Sequence, residues 1–195
     1  MKVYRKEGDL NSVLTTRLAG KLKTESITTL YWFQKNAAIQ TLLHTLKYQY
    51  RPGIGEWLGE MLGEQLVSAG MTGPLWLIPV PIHPLKKIER GYNQAGLIAR
   101  GVCRQLKNSV LLENLILKSS LRTSQTRLDR LSRWKNKQQD MELNSIESLA
   151  KFDSPHFLII DDIITTGATI GQVGKLLSDA LPASKLSVAT IAVTE

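Results

Sequence analysis

Residues 157–169 read Phe157-Leu158-Ile159-Ile160-Asp161-Asp162-Ile163-Ile164-Thr165-Thr166-Gly167-Ala168-Thr169. The first four residues are apolar and lack polar alternation, the pattern of a strand buried on both faces of a parallel sheet. Two carboxylates, Asp161 and Asp162, stand side by side at the end of that run. Two more apolar residues lead into a loop, Thr165 to Thr169, after which Ile170, Val173, Leu176 and Leu177 recur on one face of an amphipathic helix. The unit is strand, acidic pair, hydroxyl- and glycine-containing loop, helix.

A loop that opens a helix presents unpaired backbone N–H groups at the positive end of the helix dipole, where a phosphate is stabilised. Thr165, Thr166 and Thr169 add hydroxyl donors, and Gly167 lets the backbone approach a ligand closely. The carboxylate pair would repel that phosphate, so it must face another part of the ligand. Ribose hydroxyls or a hydrated Mg²⁺ are the natural partners. The alternative is an ordinary helix N-terminus preceded by two exposed aspartates at a strand end.

The whole stretch resembles the phosphoribosyl pyrophosphate (PRPP) signature of type I phosphoribosyltransferases. That resemblance implies that Thr165, Thr166, Gly167, Ala168 and Thr169 hold the ribose 5′-phosphate. It implies also that Asp161 and Asp162 contact the ribose hydroxyls near Mg²⁺, touching the metal only indirectly. In the 6-oxopurine members the first loop position is an Asp acting as base toward the purine. Here it is Thr165, which disfavours purine salvage by that mechanism.

The 195 residues suggest one domain with enough burial for a core. With 25 Lys+Arg against 17 Asp+Glu, the formal charge of +8 suits a polyanionic ligand and equally suits nucleic acid. The basic residues are spread out except between Arg122 and Lys137. The single cysteine, Cys103, excludes an internal disulfide and a multi-cysteine zinc site, and reads as a buried small hydrophobe. An apolar signal core and a stretch of membrane-spanning length are both missing, so a cytoplasmic location is expected.

Residues 1–30 read as an N-terminal arm of no assigned function, and 31–195 as one α/β domain. Tyr31-Trp32-Phe33 reads as an edge strand or hydrophobic anchor. A helix from Ala37 carries Ile39, Leu42, Leu43 and Leu46 on one face, with His44 as a packed or solvated bystander. A second helix carries Gly55, Gly59 and Gly63 at every fourth position, and its glutamates exclude a membrane span. Close packing against another element is the better reading. Leu75 to Ile78 reads as a buried strand, ended by Pro79, Pro81 and Pro84, which stiffen a loop running toward Arg90. Asn93 and Gln94 lead into a helix. An Arg- and Asn-bearing loop at a strand's C-terminal end is placed to clamp a pyrophosphate, while a purely structural Pro-rich turn remains the alternative.

IPVPIHP followed by ERGYNQA is similar to the most characteristic segment of the ComF family of competence-associated, phosphoribosyltransferase-like proteins. LLHTLKY, IGEWLGEMLGEQL and LRTSQTRLDRLSRWKN extend the likeness over about residues 30 to 195. The resemblance implies that Val80, Pro81, Ile82 and His83 form the pyrophosphate loop and that Arg90, Asn93 and Gln94 belong to the same site. Full-length members often carry an N-terminal four-cysteine zinc module, so the chain reads as a shortened member. Residues 118–143 are polar and basic: a functional lid, a flexible loop or a solvated basic helix. The type I resemblance implies a lid there, with Arg122, Thr123, Gln125, Arg130, Arg133 and Asn136 closing over PRPP.

The expectation is an α/β fold, an open parallel sheet flanked by helices and type I phosphoribosyltransferase-like, using PRPP and Mg²⁺. A nitrogen nucleophile would displace pyrophosphate, and no residue stands out as a general base. The rival is a non-catalytic PRPP-fold protein that binds single-stranded DNA or serves the competence machinery. A homodimer is allowed by either. A glutamine amidotransferase is disfavoured, because the chain has no room for a glutaminase domain and its one cysteine is internal.

Overall fold

The computed structural model describes residues 7–35, 37–118, 141–144 and 153–194, with the backbone alone for 7–11. Five strands lie parallel in one sheet in the spatial order β1 (Ser26–Phe33), β7 (Lys185–Thr194), β6 (His156–Ile164), β2 (Leu75–Pro79), β3 (Ser109–Leu111). A separate antiparallel pair joins β4 (Ile116–Lys118) to β5 (Met141–Leu143). The helices are α1 (Glu7–Leu18), α2 (Ala38–Tyr48), α3 (Pro52–Ser68), α4 (Pro84–Arg90), α5 (Gln94–Gln105) and α6 (Ala168–Ala180). Among the described residues no helix is long and apolar enough to cross a membrane.

β6 explains its own composition. Phe157 and Ile159 enter one core with Leu14, Leu18, Val173 and Leu177, whereas Leu158 and Ile160 enter the other with Leu46, Leu58, Leu62 and Ile98. All four are fully buried, each contributing about 1.5–3 kcal/mol through burial. A strand covered on both faces has no position where a polar side chain would be favoured, hence the unbroken apolar run.

The helix glycines behave as expected. A Cβ on Gly59 would strike the carbonyl of Ile98, and one on Gly101 would strike the carbonyl of Glu56. The α3 and α5 backbones therefore touch directly. Each glycine costs about 1 kcal/mol of helix propensity, offset here by the close approach that seats α5 on the sheet.

Two regions differ from expectation. α1 and β1 both begin within the stretch read as an arm: Leu14 and Leu18 are buried in the core, and β1 pairs with β7 from Ser26 onward. Residues 84–90, read as a continuing loop, form α4. Pro84 takes the first helical turn, where its missing N–H is harmless, and His83 Nδ1 accepts the N–H of Leu85 at 3.2 Å.

Candidate functional site

β6 stays paired with β7 as far as Ile164–Val193, while β2 ends opposite Ile160. The last link on that side is Val80 N–H donating to Ile160 O at 2.8 Å. Asp161 and Asp162 thus lie within the strand rather than at its end. The apolar Ile163 and Ile164 keep β6 on β7, and the departure of β2 opens a crevice beside the acidic pair. Crevices of this kind, at the C-terminal ends of parallel strands, are where open α/β sheets bind ligands.

The acidic pair is electrostatically divided. Asp161 Oδ1 accepts the N–H of Asp162 at 2.9 Å. Burial pushes the Asp161 carboxyl well above the usual carboxylate range, and the charge of Asp162 pushes it further. Asp162 instead has a counter-ion: Lys47 Nζ, from the last turn of α2, lies 2.6 Å from its Oδ2. A cation at a helix C-terminus also suits the helix dipole. The repulsion that a carboxylate pair would exert on an anionic ligand is reduced accordingly.

Two cavities meet at Asp161. The smaller is lined by Asp161 and by Ile163 to Ile170, which includes all of Thr165, Thr166, Gly167, Ala168 and Thr169. Gly167 has φ +72°, a left-handed conformation that side chains resist, and a Cβ there would come 2.8 Å from Leu18 Cδ2. The first bond inside α6 runs from Gly171 N–H to Gly167 O at 2.9 Å. The N–H groups of Thr169 and Ile170 therefore lack acceptors within the helix, while Ala168 N–H donates to Thr166 Oγ1 at 3.3 Å.

The second cavity, of about 240 Å³, is lined by Asp161, Asp162, Lys47, Val80, Pro81, Ile82, His83, Lys86, Arg90, Asn93, Gln94 and Lys118, together with Ala95. Asn93 Nδ2 donates to Val80 O at 3.0 Å and ties the proline-rich loop to the start of α5. Gln94 is only 5% exposed, yet its Nε2 has no partner among the described residues, and neither has Arg90 Nε. The Arg90 guanidinium lies 5.3 Å from the centre of the Tyr48 ring. Buried donors without acceptors are costly, and both residues line this cavity. A third cavity, of about 620 Å³, lies between α4, α5 and the β4–β5 pair and shares Pro81, Ile82, Asn93 and Lys118 with the second.

The structure thus gathers the acidic pair, the threonine loop and the Val80–Gln94 residues around one crevice. Arg122, Thr123, Gln125, Arg130, Arg133 and Asn136, the expected lid, lie outside the described residues. Lys47 was missed. Its signal was a lysine one residue past the buried Leu46 of an amphipathic helix, a position usually solvated. His44 packs on Tyr48 with ring centres 4.7 Å apart and does not line the second cavity. Among the described residues no three His, Cys, Asp or Glu side chains cluster as a metal cage. A lone carboxylate pair fits Mg²⁺ held mostly by ligand phosphates and water.

A five-stranded parallel sheet flanked by helices, with acidic pair and threonine loop at its C-terminal edge, is the α/β architecture of phosphoribosyltransferase-like proteins. No family model matches the chain. It is 30% identical over 145 residues to competence protein F of Haemophilus influenzae, covering 71% of this chain and 61% of that protein. It is 27% identical over 143 residues to the DNA utilization protein YhgH of Escherichia coli O157:H7, and 26% identical to that of Shigella flexneri, each match covering 71% of this chain and 60% of the relative. The chain is a relative of the ComF-family competence proteins, and its match spans about three fifths of the length of these curated relatives.

Proposed function

We propose that the chain binds PRPP and acts as a phosphoribosyltransferase, with pyrophosphate displaced from the anomeric carbon by a nitrogen nucleophile. The observation that carries this reading is that Asp161 lines both the threonine cradle and the cavity lined by Lys47, Lys86, Arg90, Asn93 and Gln94. A ligand with a phosphate at one end, a diphosphate at the other and a diol between them matches that layout. Thr165 to Thr169 would hold the 5′-phosphate, and Asp161 and Asp162 would accept hydrogen bonds from the ribose hydroxyls. Arg90, Asn93, Gln94 and the Val80–His83 loop would hold the diphosphate and stabilise the charge that develops as it departs. Mg²⁺, when bound with the diphosphate beside the acidic pair, supplies neutralising charge. No described side chain is assigned as general base.

Calorimetric titration of PRPP, with and without Mg²⁺, tests this on the wild type and on the Asp161→Asn/Asp162→Asn variant. Mg²⁺-dependent binding lost in the variant is expected. Equal affinity in both proteins would remove the acidic pair from the site.

The names of the relatives favour a second reading, a PRPP-fold protein that handles DNA without turnover. The charge of +8 is consistent with it. Salt-sensitive single-stranded DNA binding, weakened by Arg130→Ala with Arg133→Ala, would support that reading. Loss of PRPP binding in the same variant, without DNA affinity at any salt, would reject it.

A further inference from the structure

The last turn of α1 and the turn after it pack behind the threonine cradle. Lys21 Nζ donates to Thr166 O at 2.7 Å and to Arg17 O at 2.8 Å. Arg17 Nη1 donates to Thr194 Oγ1 at 2.9 Å and, more weakly, to Ile164 O at 3.4 Å. A trans peptide is planar, with its C=O and the next N–H on opposite sides. Holding the oxygens of Ile164 and Thr166 toward α1 therefore turns the N–H groups of Thr165 and Gly167 the other way. The cradle is lined by Asp161 and by Ile163 to Ile170, and neither Arg17 nor Lys21 lines it. Contact behind the loop is close: a Cβ on Gly171 would come 3.3 Å from Lys21 Cβ.

The placement of charge points the same way. An ammonium suits the C-terminus of α1, but beside the opening of α6 it opposes that helix's dipole. An anion seated in the cradle would relieve this conflict.

We infer that Lys21 and Arg17 are positioning residues for a phosphate monoester, acting through the Thr166 and Ile164 carbonyls to aim loop N–H groups into the cradle. The inference rests on the PRPP reading and concerns only the 5′-phosphate end of the ligand.

Calorimetry on the full chain, with ribose 5-phosphate and inorganic pyrophosphate as separate probes, tests it. Lys21→Met keeps the stem that packs on Gly171 and removes the charge. It should weaken ribose 5-phosphate binding about tenfold and leave pyrophosphate affinity unchanged, with Lys21→Arg restoring most of the loss. Arg17→Met should show the same one-ended loss and serves if Lys21→Met folds poorly. Unchanged ribose 5-phosphate affinity in the methionine variants overturns the positioning role. A parallel loss for both probes also overturns it, because general loosening of the fold acts that way. A wild type that binds pyrophosphate alone overturns it as well. A wild type that binds neither probe overturns the PRPP reading itself, and this inference falls with it.

Discussion

Lys47→Met removes the cation that faces Asp162 and keeps a linear apolar stem of similar length. At an N···O separation of 2.6 Å the attraction is large before desolvation is counted. Removing one partner of a fully buried pair costs about 3–5 kcal/mol, because the other charge stays buried alone. Here the side chains are 24% and 12% exposed, so water reaches the lysine in part, and a discounted cost of about 2 kcal/mol is expected. For a chain of 195 residues that lowers Tm by about 5 °C. Urea and thermal unfolding of Lys47→Met, Asp162→Asn and the double variant form the assay, since the cycle isolates the pair from the relief that Asp162→Asn gives Asp161. A coupling of about 2 kcal/mol supports the pairing. A coupling below about 0.5 kcal/mol would mean that the two groups are solvated independently. Lys47 would then not offset the charge of Asp162 beside the crevice.

Gly101→Ala should destabilise by about 3 kcal/mol, because its Cβ meets the Glu56 carbonyl and can be accommodated only by parting α3 from α5. A denaturant midpoint equal to wild type would contradict that backbone contact. Burial, more than any charge, lowers the pKa of His156, whose Nε2 lies 2.9 Å from Ser187 Oγ. Below the ordinary value of 6.5 the unfolded chain binds the proton more readily. The contribution is therefore fully present above that pH and is lost as pH falls through the lowered value. Tm measured from pH 7.5 downward should fall less steeply in His156→Gln than in wild type. Asp161 has the opposite sign: its raised value means stability present at acid pH and lost as pH rises through it. Asp161→Asn should therefore gain stability over wild type at pH 7 relative to pH 4 while losing PRPP affinity, and a uniform loss of stability at both would contradict the burial of the carboxyl.

Local order along the chain was legible wherever one residue's neighbours decide its state. The run Phe157 to Ile160 announced a doubly covered strand, the pattern from Ile170 to Leu177 a helix, and the glycines of α3 a close helix contact, because each pattern reflects burial on a fixed period. The threonine loop between strand and helix was readable for the same reason: its chemistry lies in consecutive residues. α1 was not readable, since polar residues break its pattern and Leu14 and Leu18 are buried only by packing against distant elements. α4 was hidden by prolines that mark a loop as readily as a helix start.

The parallel α/β class, the threonine loop, the acidic pair and the resemblance to the ComF family were all readable from the order of residues alone. Packing of whole elements set the rest: β2 ends opposite Ile160, which leaves Asp161 and Asp162 beside a cavity in mid-strand. It alone joined two cavities through Asp161, set Lys47 against Asp162 across 115 residues of chain, and backed the cradle with Arg17 and Lys21. The physical reason is range. Periodicity and turn chemistry record contacts within a few residues, whereas a counter-ion or a peptide held by a distant ammonium is fixed by how whole elements pack.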